Sequence, residues 1–175
     1  TNADIALLTV TADGNYLLGA HLEGADIAVR DSSFSNNSSG SGLDVIGGGL
    51  EIVGIMDPVY GNGNVALRNV VADNNQVFGA NIQTTGEVAI NTGSFSGQIT
   101  YVYEANSGEI SEIGGGYGLQ IVTDGNIALR SVTATGNYQY GASLTGNNVD
   151  ISTSVFSNNG SGVNTLPVGY GVKVN

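Results

Sequence analysis

One phrase recurs through this chain and limits what it can become. Residues 126–146 read N-I-A-L-R-S-V-T-A-T-G-N-Y-Q-Y-G-A-S-L-T-G, and close variants occupy 64–86 and 4–24. Shorter variants begin at Asp26, Glu87 and Asn148. Aligned on I-A-L, the copies start at Ile5, Ile27, Val65, Val88, Ile127 and Val149, at spacings of 22, 38, 23, 39 and 22 residues. Self-similarity at such periods marks a stack of like units, each burying the face of the next. Short and long spacings alternate, so the repeat is a pair of coils, at about 4–63, 64–125 and 126–175.

Within each copy the apolar positions are the first, third, sixth and eighth. Odd coils place Val and Ala at the last two (Val10 and Ala12, Val70 and Ala72, Val132 and Ala134), whereas even coils place Ser or Gly before Phe (Ser32 and Phe34, Gly93 and Phe95, Ser154 and Phe156). Cores pack at crystal-like density, so a thick Phe layer needs thin neighbours, which predicts the two-coil period. Ten residues after each start stands an amide: Asn15, Asn37, Asn75, Gln98, Asn137 and Asn159. Stacked strands about 4.8 Å apart let side-chain amides bond from layer to layer, which predicts an asparagine ladder inside a turn, disturbed at Gln98. Asn also tolerates the left-handed backbone of a sharp turn. A further strand follows Gly19, Gly49, Gly79, Gly118, Gly141 and Gly171. Insertions fall in even coils, at 38–48, 99–117 and 160–170, with one more at 54–63.

Three short strands, coils of about 22 residues and an amide ladder resemble the right-handed parallel β-helix of the pectate-lyase-like superfamily. The expected fold is therefore all-β: a solenoid of about six coils, with loop inserts in alternate coils, forming one unit. The wording G-N-I-A-L-R-S-V-T-A-T-G-N resembles repeats of large secreted bacterial surface and filament proteins. That resemblance implies an extracellular or cell-surface location. The superfamily's fold also carries lyases, hydrolases and adhesins, so fold alone does not assign function.

Composition narrows the classes. Fifteen acids against four bases give a formal net charge of −11, which disfavours nucleic acid and polyanionic polysaccharides as partners. No cysteine is present, so disulfides and thiolate metal sites are excluded. No apolar run is long enough to insert in a membrane. The chain opens on Thr1 without a signal-like segment, as a processed form or an excerpt would. Joining 171–175 to the first residues gives G-V-K-V-N-T-N-A-D-I-A-L-L-T-V, which matches 118–132 at every core position. Copies are thus expected to stack end to end, as tandem repeats or as subunits.

Candidate sites follow from the same alignment. The outward second position is Ala6, Ala28, Ala66, Ala89, Ala128 and then Asp150. Five alanines make a flat stripe, either a lateral assembly contact or a surface covered by the chain's own loops. Two residues on stand Arg30, Arg68 and Arg130, expected to pair with acidic loops. Pectate lyases use an Arg beside calcium-binding carboxylates on such a face. No carboxylate pair at glycosidase spacing accompanies these arginines, and no catalytic residue is assigned. Asp13, Asp73 and Asp124 are the turn carboxylates that Ca²⁺ would use, although such turns form without metal. Otherwise no cofactor is expected. Tyr117, Tyr140 and Tyr170 precede their glycines, as Phe78 and Leu18 do, and read as a corner-sealing stack. Tyr101, Tyr103 and Glu104 in the longest insert are candidates for a glycan or partner. His21 reads as a solvated surface residue. The leading reading is a structural unit of a surface filament or adhesin. The alternatives are a polysaccharide-degrading enzyme and a glycan-binding module on the same fold.

Overall fold

The computed structural model describes residues 3–38, 47–54, 62–99, 115–160 and 169–175, together with the backbone of 102–104 and 110–112. In chain order its strands are β1 (Ile5–Leu8), β2 (Leu18–Gly24), β3 (Ile27–Ser33), β4 (Gly48–Gly54), β5 (Val65–Val71), β6 (Phe78–Thr84) and β7 (Val88–Ser94). Then follow β8 (Val102–Glu104), β9 (Ile110–Glu112), β10 (Tyr117–Thr123), β11 (Ile127–Thr133), β12 (Tyr140–Thr145), β13 (Val149–Ser152) and β14 (Tyr170–Val174). No helix occurs among the described residues.

Apart from β8 and β9, the chain alternates between two parallel sheets. One has the order β1-β3-β5-β7-β11-β13 and the other β14-β12-β10-β6-β4-β2. Each circuit therefore adds one strand to each sheet, beside the strand laid down one circuit before. This regular stacking is compatible with a parallel β-helix. Register follows the I-A-L alignment: Ile5, Ile27, Val65, Val88, Ile127 and Val149 are successive partners in the first sheet. Ala20, Leu50, Ala80, Leu119, Ala142 and Val172 are successive partners in the second.

The first sheet changes direction within its strands, and sequence reading missed the cause. The fifth residue of every coil is left-handed: Thr9, Asp31, Asn69, Thr92, Ser131 and Thr153 have φ between 51° and 63°. A strand alternates in and out, so residues one and three inward would put five and seven inward too. One left-handed residue resets that parity and sends six and eight inward instead. The first two of the three expected strands are thereby one bent element in β3, β5, β7 and β11. Three of the six corner residues are threonine, for which this conformation costs on the order of 1–2 kcal/mol each. The gap between apolar positions three and six was the available signal.

Between the sheets lies one core. Val29, Phe34, Leu50, Ile52, Val70, Ala72, Ile82, Phe95, Ile121 and Val132 are fully buried. Phe34 and Phe95 lie between the Val-plus-Ala layers, as the size alternation predicts. Gly93 is small for a reason: a Cβ there would lie 2.7 Å from the Phe95 ring. In the first and last coils the equivalent residues, such as Leu7, Val10, Ile151 and Phe156, are only partly buried. The insert at 99–117 is not a plain loop, because β8 and β9 pair antiparallel in it. Residues 39–46, 55–61 and 161–168, which hold most of the other inserts, lie outside the described residues.

Truncating Phe95 to Ala opens a cavity between two complete layers and is expected to cost about 3–5 kcal/mol. Phe156→Ala, in a half-open layer, should cost less than half as much. Urea unfolding of the two variants measures the difference.

Candidate functional site

Two polar ladders and an aromatic column run along the stack, and a flat alanine face covers the first sheet. The main ladder is made by the predicted amides. Asn37 Oδ1 accepts from the Asn15 backbone N–H at 2.8 Å and from its Nδ2 at 3.0 Å. Asn75 Oδ1 accepts from the same two groups of Asn37, both at 2.9 Å. Asn159 Oδ1 does so from Asn137, both at 3.0 Å. Four of the six ladder residues (Asn37, Asn75, Gln98 and Asn137) are buried, so each unmade bond has a cost. The left-handed residue of this turn is not the ladder amide. It is the residue before it: Gly14, Asn36, Asn74, Gly97, Gly136 and Asn158, with φ of 55–71°. The ladder residue keeps ordinary backbone geometry, which leaves its amide free to face the next layer.

At Gln98 the ladder changes rather than breaks. Gln98 Oε1 accepts from the Asn75 N–H at 2.7 Å, and the Gln98 N–H donates to Asn137 Oδ1 at 3.0 Å. The longer side chain turns its Nε2 onto the Ala72 and Ser96 carbonyls. Asn75 Nδ2 is left buried with no hydrogen-bond partner.

Five of the six glycines that follow are shaped by this ladder. A Cβ on Gly19 would lie 2.9 Å from Asn37 Nδ2 and 2.6 Å from the Gly49 carbonyl oxygen. Gly79, Gly118 and Gly141 meet the next coil's amide and glycine carbonyl in the same way. Glycine here serves close approach of backbone to amide, not a special φ.

Sequence reading missed a second ladder, at the residue before each coil start. Asp4 accepts from the Asp26 N–H at 3.2 Å, Asp26 from the Asn64 N–H at 2.9 Å, and Asn64 from the Glu87 N–H at 2.9 Å. Asn126 then donates to Glu87 at 3.3 Å, and Asn148 to Asn126 at 2.8 Å. The recurrence of Asp, Asn or Glu before I-A-L was its only trace.

The three calcium candidates are not equivalent. Asp13 Oδ1 accepts from the Ser35 N–H at 2.6 Å and the Ser33 hydroxyl at 2.8 Å. Asp73 Oδ1 accepts from the Ser96 N–H at 2.7 Å and the Ser94 hydroxyl at 2.9 Å. Both clamp an odd coil to the even coil that follows. Asp124 sits in a different turn, between β10 and β11. Among the described residues, no three His, Cys, Asp or Glu side chains group closely enough to hold a metal ion.

Ala6, Ala28, Ala66, Ala89 and Ala128 are in register as successive partners. All are exposed except Ala28, which is partly so. Arg30, Arg68 and Arg130 are exposed in the same sheet, and none forms the expected ion pair with a described carboxylate. His21 is not simply solvated: its Nδ1 lies 2.8 Å from Glu51 Oε2 on the neighbouring strand. Tyr117, Tyr140 and Tyr170 stack with centroids 5.3 and 5.7 Å apart and planes 11° apart. The rings spend their faces on one another, so the column offers a sugar mainly its edges. Tyr101 lies outside the described residues, as do the side chains of Tyr103 and Glu104. No protein-family model matches the chain, and comparison with curated proteins and with solved structures finds no match.

Gln98→Asn gives Asn75 Nδ2 an acceptor and is expected to raise stability by about 1 kcal/mol in urea unfolding. Burial, then the neighbouring Tyr140, raises the Tyr117 pKa above its ordinary value. The unfolded chain therefore ionises there first. This phenol's contribution to stability is whole below about pH 10 and is lost as pH rises toward the raised value. Tyr117→Phe should unfold at higher pH than the parent in an alkaline titration.

Proposed function

We propose that the chain is a right-handed parallel β-helix, and that it serves as a structural repeat of an extracellular surface filament or adhesin. Copies stack end to end, as consecutive repeats of one polypeptide or as separate subunits. Right-handed winding follows the general preference of parallel crossovers. The acidic surface, at a net charge of −11, keeps long assemblies soluble and apart from nucleic acid.

The carrying observation is the match between the first and last coils. Inside the stack, the N–H of residue one donates to the carbonyl before the next coil's start: Ile27 to Asn64 at 2.8 Å, Val65 to Glu87 at 2.8 Å, Ile127 to Asn148 at 2.7 Å. By the same geometry Val149 presents that N–H outward, and Asp4 presents the carbonyl that receives it. Asn159 likewise presents its ladder N–H, while Asn15 Oδ1 is an acceptor with no donor among the described residues. The incoming edge is β1 with β2, and the outgoing edge is β13 with β14. Open edges of this kind are templates for pairing. Apolar surface collects at the same places: Tyr16 and Leu17 are exposed at one end, Tyr170 and Val174 at the other. Head-to-tail stacking satisfies both sets at once, and a contact between two different surfaces does not close on itself.

Sedimentation velocity and negative-stain microscopy of the purified chain test this. The expected result is linear particles with an axial repeat of roughly 29 Å, six layers at about 4.8 Å. Val174→Glu places a charge in the junction while leaving the inner coils intact, and should abolish them. Monomers at every concentration, or unimpaired assembly of Val174→Glu, would contradict the proposal.

A further inference from the structure

The outer face of the first sheet carries three parallel columns. Strand alternation puts positions zero, two and four of each coil on that face. Position two is the alanine column. Position four is Leu8, Arg30, Arg68, Asn91, Arg130 and Ser152, with Arg30 and Arg68 direct partners on adjacent strands. Position zero is Asp4, Asp26, Asn64, Glu87, Asn126 and Asn148. A basic column and an acidic column thus flank a flat strip, each about 6.6 Å from the alanines.

Two features are unexplained by the fold. Like charges directly opposite on adjacent strands are destabilising, yet Arg30 and Arg68 are paired with no compensating carboxylate among the described residues. Three of the four Lys and Arg residues of a strongly acidic chain stand in this one column.

We infer that this face binds the same face of a second copy, with the two coil axes parallel and a two-fold axis running along them. That rotation exchanges left and right but preserves height. Alanine then meets alanine in five of the six layers, Asp150 meets Asp150 in the last, and position four of each copy meets position zero of the other. Arg30 faces Asp26 of the second copy, Asn91 faces Glu87, and Arg68 lies one layer from both acids. The antiparallel alternative sets arginine against arginine and acid against acid. Alanine lets the two backbones approach more closely than the roughly 10 Å of ordinary stacked sheets, within reach of the flanking side chains. The mutual repulsion of two acidic chains acts largely beyond the Debye length of about 8 Å at physiological salt, whereas the facing columns act within it.

Size sets the strength. Five alanine layers by five or six residues is roughly 400 Å² a side, or about 800 Å² in all, the size of a weak contact. One copy should pair weakly, and any longer array of the same layers should pair much more tightly. The contact is lateral and does not depend on end-to-end stacking.

The chain has no cysteine, so Ala28→Cys introduces a unique thiol on the two-fold axis. With a short bismaleimide at physiological salt, Ala28→Cys should cross-link to itself roughly tenfold or more faster than Gln83→Cys on the exposed face of the second sheet. Adding Arg30→Glu and Arg68→Glu should bring it down to that control rate. In a mixture of Ala28→Cys with Ala128→Cys, like should join with like. End-stacked copies hold these thiols a full unit apart, beyond the reagent, so failure of end-to-end assembly leaves this readout unchanged. Cross-linking no faster than the control, insensitivity to the charge reversals, or a predominant mixed product would each overturn the inference.

Discussion

The structure depends on one contact repeated along the stack: an amide in one layer accepts from both the backbone and the side chain of the equivalent residue in the layer before. The backbone half of that contact survives even at Gln98, where the side-chain half is lost, and it holds the turn where the chain leaves the first sheet for the second. Because these amides are buried, the alternative to bonding the next layer is not water but an unmet donor. The ladder therefore disfavours slippage of one coil against the next more strongly than the apolar core does. Core residues of similar size would accept several registers.

The other recurring features accommodate this contact. Glycine at the head of each second-sheet strand lets a carbonyl and a ladder amide come close. The left-handed fifth residue bends the first-sheet strand so that four apolar positions, not two, reach the interior. Asp13 and Asp73 tie odd coils to even ones, adding polar contacts at the periodicity that the Phe layers impose on the core. Such layer-to-layer contacts are local in space but 20 to 42 residues apart in sequence. Stability is then expected to be a sum over layer interfaces, with the end layers contributing least.

Much of this was legible in the chain because a repeat supplies its own alignment. Ile27, Val65 and Val88 declared their register by recurring in I-A-L, and Phe34 and Phe95 declared a thick layer by facing Ala72 and Ala134. The amides at Asn37, Asn75 and Asn137 were legible because a side-chain amide recurs at that place in every coil, Gln98 included. The corner was not: Thr9, Asp31, Asn69 and Ser131 share a backbone conformation but no side-chain chemistry, and threonine is a poor indicator of left-handed backbone. The Asp13 and Asp73 clamps were hidden because Asp-Gly and Asp-Asn each have a sufficient local explanation as a turn. His21 and Glu51 were hidden for a related reason, since neither belongs to a repeating column. The pairing of β8 with β9 was hidden because the surrounding insert breaks the repeat that made everything else alignable.

End-to-end stacking, as proposed above, requires that the layer of β13 and β14 offer a following layer the same donors that an interior layer offers its neighbour. Hydrogen exchange at single-residue resolution tests it most directly. In dilute solution the amides of Asn37, Asn75, Val65 and Val88 should be strongly protected, while those of Asn159 and Val149 exchange rapidly. As concentration rises, Asn159 and Val149 should approach the protection of their interior counterparts, in step with each other. Fast exchange at both positions in fully concentrated samples, or strong protection of both in isolated chains, would contradict the proposal.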